Sequence, residues 1–159
     1  MNTKRRGWSL VEVLTVVAII SVIALVATFS LRQRLPTYRL QKASETLEAS
    51  LRNAHMRAMS YSRPTSVMLN TAVKSLVTSS DENDNGSIDV SEVATLKLTS
   101  DPAIALSSLA SGGRFDPNGT FACTTGYWRV TFSHPEAPHD AYVYVFQGGH
   151  IEETSVKLD

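Results

Sequence analysis

From Val13 to Leu31 the chain runs for 19 residues without a charge, a proline or a glycine. As an α-helix at 1.5 Å per residue the stretch would span roughly 28 Å, close to the hydrocarbon thickness of a bilayer. A core helix of a soluble domain keeps a polar face, and this one has none. The pattern predicts a membrane segment. At Pro36, which lacks an N–H and crowds the preceding turn, a kink or a short break is expected. Helical periodicity then resumes. Leu40, Ala43, Leu47, Leu51, Ala54 and Ala58 recur at i, i+3/i+4, while Lys42, Glu45, Glu48, Arg52 and Arg57 take other faces. The stripe ends near Tyr61, Pro64 closes it, and its apolar side should lie on a sheet.

After Pro64 the period changes to that of strands. Ser66–Leu69, Lys74–Thr78, Val93–Leu98, Trp128–Phe132 and Tyr142–Phe146 read as extended segments. Turn chemistry divides them at Asp116-Pro-Asn-Gly119, His134-Pro-Glu-Ala-Pro138 and Gly148-Gly149. The expected fold is α+β: one long N-terminal helix, half transmembrane and half amphipathic, packed on an antiparallel β-sheet head.

Charge sharpens the reading of the N-terminus. Residues 1–7 hold Lys4, Arg5 and Arg6 and no acid; without them the chain keeps 12 basic against 15 acidic side chains. The apolar run is too long for the core of a secretory signal peptide, and no small-residue cleavage site follows it. The best processing site, Gly7 after the basic cluster, precedes the run instead. Glu12 stands at the start of the apolar segment, where an unpaired carboxylate carries a desolvation penalty. Such an acid either reaches back to the headgroups or finds a cation, the simplest being the amine that cleavage after Gly7 would create on an adjacent chain. Basic residues flank both ends of the segment, so charge alone does not orient it. Thr15, Ala18, Ser21 and Thr28 fall along one side, where small residues permit close helix–helix approach.

Residues 4–31, with K-R-R-G-x-S-L-x-E leading into the apolar run, resemble the class III signal of type IV prepilins and type II secretion pseudopilins. The resemblance implies a pilin fold, with a leader at 1–7, a transmembrane and filament-core helix at 8–35, and a periplasmic domain at 36–159. It implies that a prepilin peptidase cuts after Gly7 and methylates the new N-terminus at Trp8, and that Glu12 pairs with the terminal amine of a neighbouring subunit. Trp8 departs from the commoner Phe or Met. The implied partners are other pilin or pseudopilin subunits, the peptidase, an inner-membrane assembly platform, and lipid before assembly. The implied location is the bacterial inner membrane, then the filament, at or near its tip. L-E-A-S-L-R-N-A-H-M-R-A-M-S-Y-S-R-P (47–64), R-F-D-P-N-G (114–119) and Y-V-Y-V-F-Q-G-G-H-I (142–151) are similar to blocks of GspH/FimT-type pseudopilins, with His55 and His150 where Arg is commoner.

D-E-N-D-N-G-S-I-D-V-S-E (81–92) fits the twelve-residue calcium loop throughout. Asp81, Asn83, Asn85, the Ser87 carbonyl, Asp89 and Glu92 would supply hard oxygen ligands, and Gly86 the turn. The flanks alternate as strands do, so the expectation is an EF-hand-like loop within a β-hairpin. The plain alternative is a solvated hairpin loop whose Asn, Asp and Gly serve only the turn. No cofactor is required by the rest of the chain. His134, His139 and His150 read as exposed loop histidines rather than zinc ligands, given the single thiol, Cys123, itself read as a small buried apolar residue. No nucleophile motif frames any serine, so the chain is not expected to be an enzyme. An alternative function is a minor pilin that binds DNA or a surface ligand. In the tail Glu152, Glu153 and Asp159 outnumber Lys157, which opposes phosphate binding.

Overall fold

The computed structural model describes residues 9–155, the side chains of Phe29, Ser30 and Gln33 excepted. The chain divides into two compact units, Met1–Leu35 and Pro36–Asp159. Helix α1 is Leu10–Ser60, with Pro36 inside it, so the expected short break does not occur. A proline removes one rung of the i→i−4 ladder, and the residues on either side keep theirs.

In the second unit Leu40, Ala43, Leu47, Leu51, Ala54 and Ala58, the stripe read from the sequence, are all buried. Each fully buried Leu removes apolar surface worth about 1.5–3 kcal/mol, so this stripe anchors the helix to the head. The helix ends in a left-handed cap: Ser62 has φ +53°. The Arg63 N–H donates to the Ala58 carbonyl at 3.1 Å and the Ser62 N–H to that of Met59 at 3.3 Å, a Schellman arrangement that satisfies two terminal carbonyls.

Among the described residues nine strands follow: β1 Thr65–Asn70, β2 Ser75–Ser80, β3 Val93–Lys97, β4 Ala105–Ser108, β5 Gly112–Phe115, β6 Phe121–Ala122, β7 Tyr127–Ser133, β8 Ala141–Phe146 and β9 Ile151–Thr154. They form two antiparallel sheets, in the orders β3-β2-β1-β5-β6 and β4-β7-β8-β9. Strands β4, β5, β6 and β9 carry weak sequence signals or none. Strand β5 opens on Gly112, where a Cβ would stand 2.0 Å from the Val67 carbonyl oxygen. The close approach of β1 requires glycine there, and glycine carries no strand signal.

The two sheets and the helix enclose one core. Phe115, Phe121 and Trp128 form a ring series with centroids 4.8 and 6.1 Å apart, and His55 of the helix stacks on Phe115 at 5.1 Å. Trp128 is fully buried, yet its indole N–H donates to Ser108 Oγ at 2.7 Å and the Ala110 carbonyl at 2.9 Å. A buried indole keeps its polar edge paired in this way.

Candidate functional site

Leu10–Thr28 is a 19-residue apolar stretch of mean hydropathy 2.8, long enough to cross a membrane by length and composition, and none of it is buried. Leu10 is 77% exposed and Leu25 73%. Apolar surface on this scale requires an apolar environment, whether lipid or other helices. The hydroxyls along it are absorbed by the helix itself. Thr15 Oγ1 donates to the Glu12 carbonyl, Ser21 Oγ to that of Val17 and Thr28 Oγ1 to that of Ala24, at 2.7–2.9 Å.

That leaves Glu12 as the one charged side chain of the stretch. It lies in the first turn of α1, where its own N–H and that of Val13 donate to the Ser9 carbonyl at 3.0 and 3.2 Å. An acid there complements the positive end of the helix dipole, but a partner cation would offset far more of its cost in lipid. Among the described residues no ion pair engages Glu12. Gly7 and Trp8 lie outside the described residues.

In the second unit the 81–92 segment joins β2 to β3, which pair antiparallel from Ser75↔Lys97 to Ser79↔Val93. It is a hairpin loop, closing through a 3-10 turn at Val90–Glu92. Gly86 has φ +77°. Asp81 accepts from the N–H groups of Asn85 and Gly86 at 3.2 and 3.0 Å, and Asn85 Oδ1 from that of Ser87 at 2.8 Å. Asn83 and Asn85 donate their amides to Asp89. Glu92 is buried and accepts from the backbone of Glu82, Asn83 and Asp89 at 2.9–3.0 Å. The loop's last position is thus tied by backbone donors to its second and third. Among the described residues no three His, Cys, Asp or Glu side chains converge as a metal site. A Ca2+ ion would need Asp81 and Glu92 to exchange N–H partners for the cation.

The helix end clasps this loop. Arg57 pairs with Glu82 at 2.9 Å, and Arg63 pairs with Asp84 and lies 3.7 Å from Asp81. The Arg63 pairing holds the Asp84 carboxyl below its ordinary range. Sequence reading missed this clasp; the available signal was a cation on each side of the helix stop, facing an acidic loop about twenty residues on.

Of the histidines expected to be exposed, His139 and His150 are and His134 is not. The His-Pro-Glu-Ala-Pro turn folds back on itself: Ala137 N–H donates to the His134 carbonyl at 3.1 Å, and His134 Nδ1 accepts from Glu136 N–H at 3.1 Å. The ring is therefore tucked under the turn. Cys123 is half-buried against the core, with its thiol 3.9 Å from Thr125 Oγ1.

Solved structures share this architecture. One crystal form of the type IV minor pilin FimU of Pseudomonas aeruginosa is 20% identical and superimposes with a TM-score of 0.59, covering 73% of this chain and 88% of that one. The chain has the pilin fold. The minor pseudopilin EpsH from the type 2 secretion system of Vibrio cholerae is 10% identical, with a TM-score of 0.56 over 74% of this chain and 97% of that one. No family model matches the sequence. No curated protein matches it either. At these identities the likeness is one of fold. The pilin fold accounts for a helix whose two halves meet different environments, one wholly exposed and apolar, the other buried along a single stripe.

Proposed function

We propose that this pilin-fold chain is a minor subunit of a type IV pilus or a type II secretion pseudopilus, acting at or near the tip to initiate or tune assembly. It is held in the inner membrane by Leu10–Thr28, with its head in the periplasm, and is built into the filament through the same helix. The observation that carries the reading is a fully exposed apolar helix with one carboxylate in its first turn, joined in sequence to a pilin-fold head. A peptidase removes residues 1–7 after Gly7 and methylates the Trp8 amine; Glu12 then pairs with the amine of the neighbouring subunit. In lipid an ionised side chain costs about 3 kcal/mol or more at the bilayer centre, and less toward the interface where Glu12 would lie. Neutralising that charge on the subunit next door favours transfer from membrane to filament.

The test is Glu12→Ala in producing cells. Membrane fractionation should be unchanged, while the protein disappears from sheared filaments; incorporation at the normal level rejects the role of Glu12. Mass spectrometry of the filament-borne chain should find Trp8 at the N-terminus, and a retained Met1 would overturn the processing step.

We also propose that the 81–92 loop takes up calcium, on its fit to the twelve-residue ligand pattern and the turn conformation that Gly86 already takes. A ligand that binds only the folded state raises its stability by mass action. Millimolar Ca2+ should therefore raise the unfolding temperature of the wild-type chain relative to EDTA, and the rise should vanish in Asp89→Ala. Equal midpoints in both buffers would leave the loop as a hydrogen-bonded turn only.

A further inference from the structure

We propose that β3 is a docking edge for a second copy of this chain, paired antiparallel about Thr95. β3 closes one side of its sheet, and all five of its residues are exposed. Its other side is an unbroken five-pair ladder with β2. The Leu98 N–H donates to the Lys74 carbonyl at 2.9 Å. By the two-residue alternation of an antiparallel ladder, the backbone groups of Leu96 and Ala94 also face β2, and those of Val93, Thr95 and Lys97 face away. The Val93 N–H is already used by the Val90 carbonyl. The Val93 carbonyl and both groups of Thr95 and Lys97 remain directed outward.

Edge strands on natural sheets are ordinarily kept short, charged, bulged or interrupted by proline. Of the other three edges, β6 has two residues, β4 has four, and β9 has four and carries Glu152 and Glu153. β3 is the longest, has no proline, and its charge is confined to the last residue. Apolar side chains gather along it: Val90 is 92% exposed, Ile88 53%, Leu96 41% and Val93 39%. This is the chemistry of strand addition, in which main-chain bonds supply affinity and flanking side chains supply choice of partner.

Charge selects a copy in antiparallel sense. The strand is preceded by loop 81–92, with five acids and no base; Asp84 is held by Arg63 and Glu82 by Arg57, while Asp89 is exposed and makes no ion pair among the described residues. It ends at Lys97, whose ammonium makes no ion pair among the described residues and which lines a groove with Arg39 and Lys42. Antiparallel pairing about Thr95 sets Lys97 of each copy opposite Val93 of the other, beside its acidic loop; a two-fold axis makes that contact twice. Thr95 exchanges two hydrogen bonds with its counterpart, and each Lys97 N–H reaches a Val93 carbonyl. Parallel pairing would instead set base beside base.

The test uses the full-length chain in membranes of producing cells, with Cys123→Ser to remove the native thiol and Thr95→Cys to report the edge. A short bis-maleimide should yield a species of twice the chain mass. Met56→Cys, on the exposed side of α1, is the proximity control. Lys97→Glu should lower the yield severalfold, and adding Asp89→Lys should restore it. Thr95→Cys crosslinking no better than Met56→Cys, or an adduct containing a different protein, overturns the proposal. In the wild-type chain, a carbodiimide applied to mixed 14N- and 15N-labelled protein should join Lys97 to loop 81–92 across isotopes; links within one isotope alone would overturn it as well. Glu12→Ala should leave the dimer intact, so failure here is distinguishable from failure of the filament reading.

Discussion

At the residue scale, Ser44 and Glu153 show how a polar pair inside the head ties stability to pH. Ser44 is fully buried on α1, and its hydroxyl has both the Gln41 carbonyl and the Glu153 carboxylate within reach. Desolvation is the main cause that pushes the Glu153 carboxyl up; the Ser44 hydroxyl opposes it, and repulsion from Glu48 and Glu45 adds to it. A carboxyl raised in the folded state costs nothing below the ordinary Glu pKa of about 4.3, and costs stability as pH rises through its folded value. Glu153→Gln should therefore stabilise the head at neutral pH, with the gain closing toward acid. Denaturant midpoints measured across pH check this, and a constant offset between wild type and variant would contradict it. Asp101 works in the opposite sense. The Ala103 N–H, then Arg39, hold its carboxyl low, so its contribution is present at neutral pH and is lost in acid.

At the element scale, two turns that look independent in sequence are packed on each other. Gly149, between β8 and β9, has φ +75°, and a Cβ there would stand 2.0 Å from the Gly119 carbonyl oxygen. The same Cβ would lie 3.1 Å from the His55 ring. The Phe121 N–H donates to the Gln147 carbonyl at 2.8 Å, stitching the 116–121 segment to the β8–β9 turn. Gly149→Ala would combine left-handed strain with overpacking against backbone, a loss of about 2–4 kcal/mol. Gly148→Ala, with nothing within 4 Å, should be nearly silent. Chemical unfolding of the pair tests this contrast, and similar midpoints for the two variants would refute it.

At the scale of the whole molecule, what could be read from the sequence was what repeats along it. The helical stripe from Leu40 to Ala58 and the alternation in β7 and β8 are periodic, so each residue supports its neighbours' assignment. The division of the strands between two sheets was not legible, because β4 is a four-residue Ala-Leu-Ser-Ser segment and β5 begins with two glycines that β1 and Phe121 require. Nor were contacts between distant segments: Ser44 on Glu153, and the arginine clasp on the acidic loop. Glu12 stands out in the sequence because a lone acid in an apolar run is a local anomaly, and it lies in the first turn of α1.

The burial of Trp128 gives the molecule a built-in optical reporter. The sequence has two tryptophans, Trp8 and Trp128, one ahead of the apolar helix and one with no exposed surface and both hydrogen-bond acceptors supplied by the β4 region. Indole emission shifts to the red when the ring meets water, so a Trp8→Phe chain would glow with the colour of the head's interior alone. Loss of that blue emission would mark the moment the sheets around Trp128 open.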